Sequence, residues 1–247
     1  MTEPPDGRPS WNINEKLAPL AVHVFTAAGA FIGMLALERA FARDFPAVFG
    51  WLALAFIIDG VDGTIARRVR VRERLPHIDG DVLDCVVDYL NYVVVPLTAI
   101  WTGALMPPPL AHVAIAVVAI GSSIYFADRR MKTPDNWFRG FPALWNVVAL
   151  YLFTFPMPGW AVFLVMIAAS AAMFVPVVFV HPMRVARLRG VTLAAMALWF
   201  VAAAILVANG FSGPVWAKAV LIATGLYFVS LPLWRGTIWA KEKGAGS

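Results

Sequence analysis

Charge is scarce in this sequence. Of 247 residues, 14% are Asp, Glu, Lys or Arg, against about 25% in an ordinary soluble domain. With 60% hydrophobic side chains, no water-soluble fold could cover the apolar surface, which excludes a soluble core protein. Cysteine is scarcer still: the single Cys85 excludes an intramolecular disulfide. No polar stretch is long enough for a separate soluble domain, and no tandem repeat is visible. The opening residues MTEPPDGRPSWNINEK are polar and proline-rich. They lack the basic, then apolar, then small pattern of a signal peptide, so residues 1–16 are expected to form a cytoplasmic segment.

What is abundant is apolar sequence, in runs close to the roughly 20 residues that a spanning helix needs. The expectation is an all-α, polytopic helical bundle with eight spans, at 17–37, 47–66, 81–105, 109–127, 139–156, 159–180, 191–210 and 214–233. Turn-formers punctuate them: MPPP at 106–109, FPMPG at 155–159 and NGFSGP at 209–214. Residues 17–233 would form one membrane domain and 234–247 a cytoplasmic tail. Cytoplasmic loops are enriched in Lys and Arg. With eight spans and the N-terminus inside, seventeen of the twenty basic residues fall on one face; only Arg39, Arg43 and Lys218 fall on the other. Both termini are therefore expected in the cytoplasm, and the basic loops would attract anionic head groups there.

The acids are concentrated in one place. Six aspartates and five arginines fall between Asp59 and Leu90. Asp59 and Asp62 are spaced i, i+3 near the end of the second span; Asp84 and Asp88 are spaced i, i+4 near the start of the third. Each pair projects from one face of its helix. A short loop makes the two helices neighbours, so four carboxylates can converge inside the cytoplasmic boundary. Unrelieved, they would repel and be costly to desolvate. One or two divalent cations would relieve this, and all-oxygen ligands favour Mg²⁺ or Mn²⁺ over zinc. His77 is the only nearby softer ligand, and it lies in the loop. Gly60, Gly63 and Gly80 cost helix stability yet allow a phosphate to approach. Arg67, one turn after Gly63, offers a fork to that phosphate. A metal-plus-arginine site for a diphosphate follows. Asp79 and Asp81 precede a helix and read as its caps. Arg68, Arg70, Arg72 and Arg74 read as a solvated or lipid-facing loop.

Asp59-x2-Asp62-Gly63-x2-Ala66-Arg67 followed by Gly80-x3-Asp84-x3-Asp88 resembles the signature of the CDP-alcohol phosphatidyltransferases. Twelve residues, 68 to 79, separate Arg67 from Gly80. That long gap is similar to the bacterial phosphatidylcholine synthase branch, as are AVHVFTAAGA at 21–30, DYLNYVVVP at 88–96, YFADRRMKTPDNWFRGFPALWNVVALYLF at 125–153 and HPMRV at 181–185. The resemblance implies a bacterial inner-membrane enzyme with its site facing the cytoplasm. An alcohol would attack the lipid-bearing phosphorus of CDP-diacylglycerol, and CMP would leave. It implies Asp59, Asp62, Asp84 and Asp88 as metal ligands, with Asp88 also the general base. It further implies Gly60, Gly63, Ala66, Arg67 and Gly80 along the CDP-diacylglycerol path. His23 and Thr26 match positions near the nucleotide in the first span. An aliphatic hydroxyl needs a base as attack proceeds, and carboxylates beside cations are weakened as bases, so positioning matters as much as basicity.

The branch likeness points to choline as the acceptor. A quaternary ammonium is held by aromatic faces and nearby carboxylates, and Tyr89, Tyr92, Tyr125, Asp128, Trp137 and Trp145 are the candidates. Aromatic belts at membrane interfaces compete with that reading. Arg129, Arg130 and Lys132 could instead serve a phosphorylated acceptor, so serine, inositol or glycerol 3-phosphate remain alternatives. An ion-coupled transporter is a different class, but its site would lie near the midplane, usually between internal repeats. The implied partners are CDP-diacylglycerol, choline and membrane lipids, with no nucleic acid and with a homodimer as the assembly to test.

Overall fold

A computed structural model describes residues 13–128, 130, 138–175, 178–179 and 189–244. Among these residues the regular elements are helices, apart from one two-residue strand pair. The helices are α1 (Ile13–Phe41), α2 (Phe45–Val69), α3 (Val71–Arg74), α4 (Gly80–Tyr89), a π turn (Leu90–Val94) and α5 (Val95–Thr102). They continue as α6 (Pro108–Ala127), α7 (Trp145–Thr154), α8 (Gly159–Ala172), α9 (Arg189–Ala208) and α10 (Val215–Gly244). Among the described residues, six helical stretches are long and apolar enough to cross a membrane; α4, the π turn and α5 make one of them, Gly80–Thr102. Large apolar side chains such as Phe31, Ile57, Ile120, Leu198 and Leu226 point outward. That surface needs hydrocarbon around it, and the chain is a multi-pass membrane protein.

Local chemistry sets the helix ends. The Asp44 side chain caps α2 by accepting from the Ala47 N–H at 3.3 Å. Arg70 closes the same helix in the left-handed region, at φ 56°. Asp79 caps α4, accepting from the N–H groups of Asp81 (3.0 Å) and Val82 (3.2 Å). Asp81 is not a cap; it lies in the first turn and pairs with Arg72 at the surface.

The expected fifth and sixth spans, 139–156 and 159–180, contain shorter helices. α7 has ten residues and α8 fourteen, rises of about 15 and 21 Å at 1.5 Å per residue. The reason lies before α7. Phe138–Arg139 pairs antiparallel with Val178–Phe179, and Gly140 turns at φ 74°. A Cβ on Gly140 would lie 1.9 Å from the Met173 carbonyl oxygen, and Phe141 N–H donates to the Ala172 carbonyl at 2.9 Å. This non-helical segment is docked on the end of α8, with Gly140 and Ala143 buried. Irregular backbone at membrane depth is tolerated only where protein covers it.

α1 lies along α2 and also against α4, the π turn and α5. The second contact is close because of two glycines. A Cβ on Gly29 would fall 2.6 Å from Val87, and one on Gly33 would fall 2.7 Å from Leu90. Small residues four apart let helix backbones approach in this way. The core continues from Val93, Val95 and Ile100 through Trp145 and Met166 to Leu206 and Leu221. α9 and α10 pack on each other, and Tyr151 of α7 ties them in. Its hydroxyl donates to the Leu221 carbonyl at 2.6 Å and accepts from the Trp199 indole at 3.2 Å.

Candidate active site

α1, α2 and α4 meet around a polar cleft. Thr26 and Gly29 line it from α1; Ile58, Asp59 and Asp62 from α2; and Asp84, Val87 and Asp88 from α4. Asn91 and Tyr92 of the π turn close it. Asp59, Asp84 and Asp88 are half-buried, and each places a carboxylate oxygen within 4.8 Å of the others. The i, i+4 spacing on α4 turns Asp84 and Asp88 to one side, and α2 brings Asp59 opposite them. Asp62 lines the same cleft one turn below, 6% exposed. It stands apart from the three-carboxylate group, and one of its oxygens accepts from Thr26 Oγ1 at 2.7 Å.

The donor set fits a hard divalent cation. Carboxylate oxygens suit Mg²⁺ or Mn²⁺, and no His or Cys joins the group among the described residues. His77 lies outside it, exposed in the loop.

The glycines divide by role. A Cβ on Gly60 would meet nothing within 4 Å, so its lack of a side chain answers to no neighbour in the fold and leaves the surface of α2 open beside Asp59. A Cβ on Gly63 would sit 3.4 Å from an Arg67 guanidinium nitrogen. Arg67 runs back along α2 and donates to Thr64 Oγ1 at 3.1 Å. Ala66 is half-buried one residue before it. Gly80 faces His23, whose Cε1 would lie 3.3 Å from an added Cβ. His23 is buried, and its Nε2 finds no hydrogen-bond partner among the described residues. His23 and Thr26 are thus one turn apart on α1, one against the start of α4 and the other on Asp62.

The aromatic candidates separate. The Tyr92 hydroxyl donates to Asp59 Oδ2 at 2.7 Å. Tyr89 crosses from α4 to α6, donating to the Ala119 carbonyl at 2.9 Å and accepting from Ser123 at 3.0 Å. Its ring meets Phe126 edge-on at 6.0 Å, and Phe126 meets Tyr125 at 6.2 Å. Tyr125 is buried, and its hydroxyl has no partner among the described residues. Asp128 follows α6 and is gripped by Arg130, which holds its carboxyl down to about 2. Trp145 is 0% exposed; its indole N–H donates to Ser122 at 2.9 Å and its ring packs on Phe141. That side chain belongs to the interior. Trp137 lies outside the described residues.

Sequence reasoning missed Asn91 and the two α1 glycines. Asn91 is 3% exposed, and its amide donates to the Gly29 carbonyl at 3.0 Å and the Val87 carbonyl at 3.1 Å. The signal was present, as Gly29-x3-Gly33 on an apolar helix. The π turn also had a signal. Pro96 has no N–H and its ring crowds the carbonyl four residues back, that of Tyr92, which loosens the turn before it. Val95 N–H then reaches the Leu90 carbonyl, five residues back.

Half-buried carboxylates from two neighbouring helices thus gather on one cleft, beside the glycines and Arg67 of α2. The chain belongs to the CDP-alcohol phosphatidyltransferase family, whose model matches residues 18–178. It is 37% identical over 212 residues to a phosphatidylcholine synthase of Agrobacterium fabrum, covering 86% of this chain and 88% of that protein. It is 46% identical over 187 residues to one of Bradyrhizobium diazoefficiens, covering 75% and 70%. With one of Pseudomonas aeruginosa it shares 35% over 214 residues, covering 87% and 90%.

Proposed function

We propose that this protein transfers the phosphatidyl group of CDP-diacylglycerol to choline and releases CMP, on the cytoplasmic side of a bacterial inner membrane. The observation that carries the reading is the meeting of Asp59, Asp84 and Asp88 from two helices on one cleft, within a chain whose relatives are phosphatidylcholine synthases. Asp59, Asp62, Asp84 and Asp88 would hold Mg²⁺ or Mn²⁺, in one or two ions. When bound, such ions neutralise the diphosphate and stabilise charge on the departing CMP. Arg67 swings from Thr64 onto a phosphate oxygen, and Gly60 and Gly63 leave the path to it open. His23 and Thr26, with Gly80, face the nucleotide.

The choline hydroxyl oxygen forms a bond to the lipid-bearing phosphorus, and the bond from that phosphorus to the CMP oxygen breaks. Asp88 takes the hydroxyl proton as the new bond forms. The ammonium is held by aromatic faces at the α4–α6 contact, from Tyr89 and Tyr125 on either side of Phe126, with Asp128 following at the end of α6. The test is an acceptor panel on purified protein with labelled CDP-diacylglycerol. Choline should give phosphatidylcholine and CMP, abolished by EDTA and restored by Mn²⁺ or Mg²⁺. Full activity in EDTA sinks the metal reading; turnover with serine, inositol or glycerol 3-phosphate in place of choline changes the acceptor. Orientation is tested separately. In a Cys85→Ala background, Arg72→Cys should label only from the cytoplasm and Ala42→Cys only from the opposite side.

A further inference from the structure

We infer that Tyr92 is a positioning residue for Asp59, acting on the carboxylate group and not on the acceptor alcohol. The reading rests on the metal role proposed above for Asp59.

Asp84, Asp88 and Tyr92 follow one another at intervals of four, so each stands one turn beyond the last on nearly the same side. That side faces α2. Asp84 and Asp88 bring carboxylates to it, and Tyr92 brings a phenol. The phenol reaches Asp59 Oδ2 at 2.7 Å and is itself 6% exposed. A hydroxyl so placed, already committed to a carboxylate, is poorly suited to an aromatic wall around a mobile ammonium ion.

Two features hold the ring in place. Asn91, the preceding residue, ties the π turn to α1 through the Gly29 carbonyl. Pro96, one turn beyond Tyr92, forces the wide turn that sets the direction of both side chains. π turns of this kind recur at functional sites.

The bond matters because the terminal torsion of an aspartate is broad and only two-fold. Three carboxylates brought within 4.8 Å of one another repel, so the rotation of Asp59 about that torsion decides how its oxygens face the other two. A neutral donor on one oxygen fixes the rotation without introducing a positive charge that would compete with a cation. Partners of metal-ligating carboxylates act in this way, and their loss typically costs about 10- to 100-fold in metal affinity.

The test uses the full-length protein in detergent and measures Mn²⁺ binding by electron paramagnetic resonance, without substrate. Tyr92→Phe keeps the ring and removes the hydroxyl. It should weaken Mn²⁺ binding about tenfold or more, while the choline KM at saturating Mn²⁺ stays close to wild type. In an Asp59→Asn background the same change should add little, because its effect passes through that carboxylate. Tyr151→Phe removes an interhelical hydroxyl from a half-buried tyrosine; it should lower thermal stability and leave Mn²⁺ binding unchanged, separating positioning from packing. If wild type binds Mn²⁺ and Tyr92→Phe binds it equally well, this inference is overturned while the proposed metal site stands. A rise in choline KM with unchanged Mn²⁺ binding would overturn it in favour of a cage. Absence of Mn²⁺ binding in wild type would overturn both.

Discussion

Tyr92 and Tyr151 make nearly the same bond in two halves of the molecule. Each hydroxyl leaves its own helix and donates to a neighbouring one, at 2.7 and 2.6 Å. Tyr92 finds a carboxylate, Tyr151 a backbone carbonyl. Around Tyr92 are Asp59, Asp62, Asp84, Asp88 and Asn91; around Tyr151 are Trp199, Leu221 and Gly225. In the first half, carboxylates from two helices are gathered on one cleft. In the second, the tyrosine brings its donor to an acceptor and helix packing is the result. Burial and a short bond do not separate function from packing. What separates them is whether the acceptors are charged side chains gathered from two helices or a single backbone carbonyl.

The largest effects should come from that charge. Asp59→Asn, Asp62→Asn and Asp84→Asn should each remove most turnover, measured as CMP release, since each deletes a charge a divalent cation needs. Asp88→Asn should cut turnover by about 10²-fold or more, with CDP-diacylglycerol binding less affected. A matching loss of Mn²⁺ binding in Asp88→Asn would make that residue a ligand before a base. Next comes the wall of the cleft. Gly33→Leu drives a side chain into Leu90 and Asn91, already 2.7 and 2.9 Å from a bare Cβ. It should lower both the melting temperature and Mn²⁺ affinity, because α1 can no longer reach the π turn. Gly225→Ala makes the matching clash in the other half, 2.3 Å from the Tyr151 hydroxyl. It should cost about 1–3 kcal/mol of stability and leave Mn²⁺ binding untouched; a change in Mn²⁺ affinity there would erase the distinction between the halves. The smallest effect belongs to Asp81→Asn. Its carboxylate shares α4 with Asp84 and Asp88 but pairs with Arg72 in the open, where ion pairs contribute little, and most turnover should remain.

Three of the four expected carboxylates meet as helix spacing suggested, with Asp84 and Asp88 four apart and Asp59 across a short loop; Asp62 was expected among them and instead turns to Thr26. The cap at Asp79 was legible from local spacing as well. Thr26 on Asp62 and Tyr92 on Asp59 were not, since both bonds join helices whose relative rotation no local pattern encodes. Trp145 illustrates the other failure. An aromatic near a membrane boundary suits an interfacial belt, a cage or a core equally well, and only Ser122, 23 residues earlier on α6, decides for the core. The short α7 and α8 were hidden because hydropathy counts apolar residues whatever their backbone does, and residues 140–144 carry no charge yet are not helical. Gly140 and Pro142 were the visible warning.

The π turn between Leu90 and Val94 has a consequence for how the third span tolerates change. Such a turn holds one residue more than an α turn, so the two ends of the rod keep separate registers. From Gly80 forward, the register is set by which side chains must face Asp59. From Thr102 backward, it is set by a core that encloses Val95, Leu97, Ala99 and Ile100. Deleting one residue inside the wide turn would close it to α geometry and leave the two ends nearly unrotated, because the i→i+5 turn takes up its extra residue within about the sweep of one α turn. The carboxylates before the turn and the core contacts after it would both survive; what would move are the side chains inside it, Asn91 and Tyr92, with their bonds to Gly29 and Asp59. The extra residue works as a local offset, and its deletion would be felt first in those bonds.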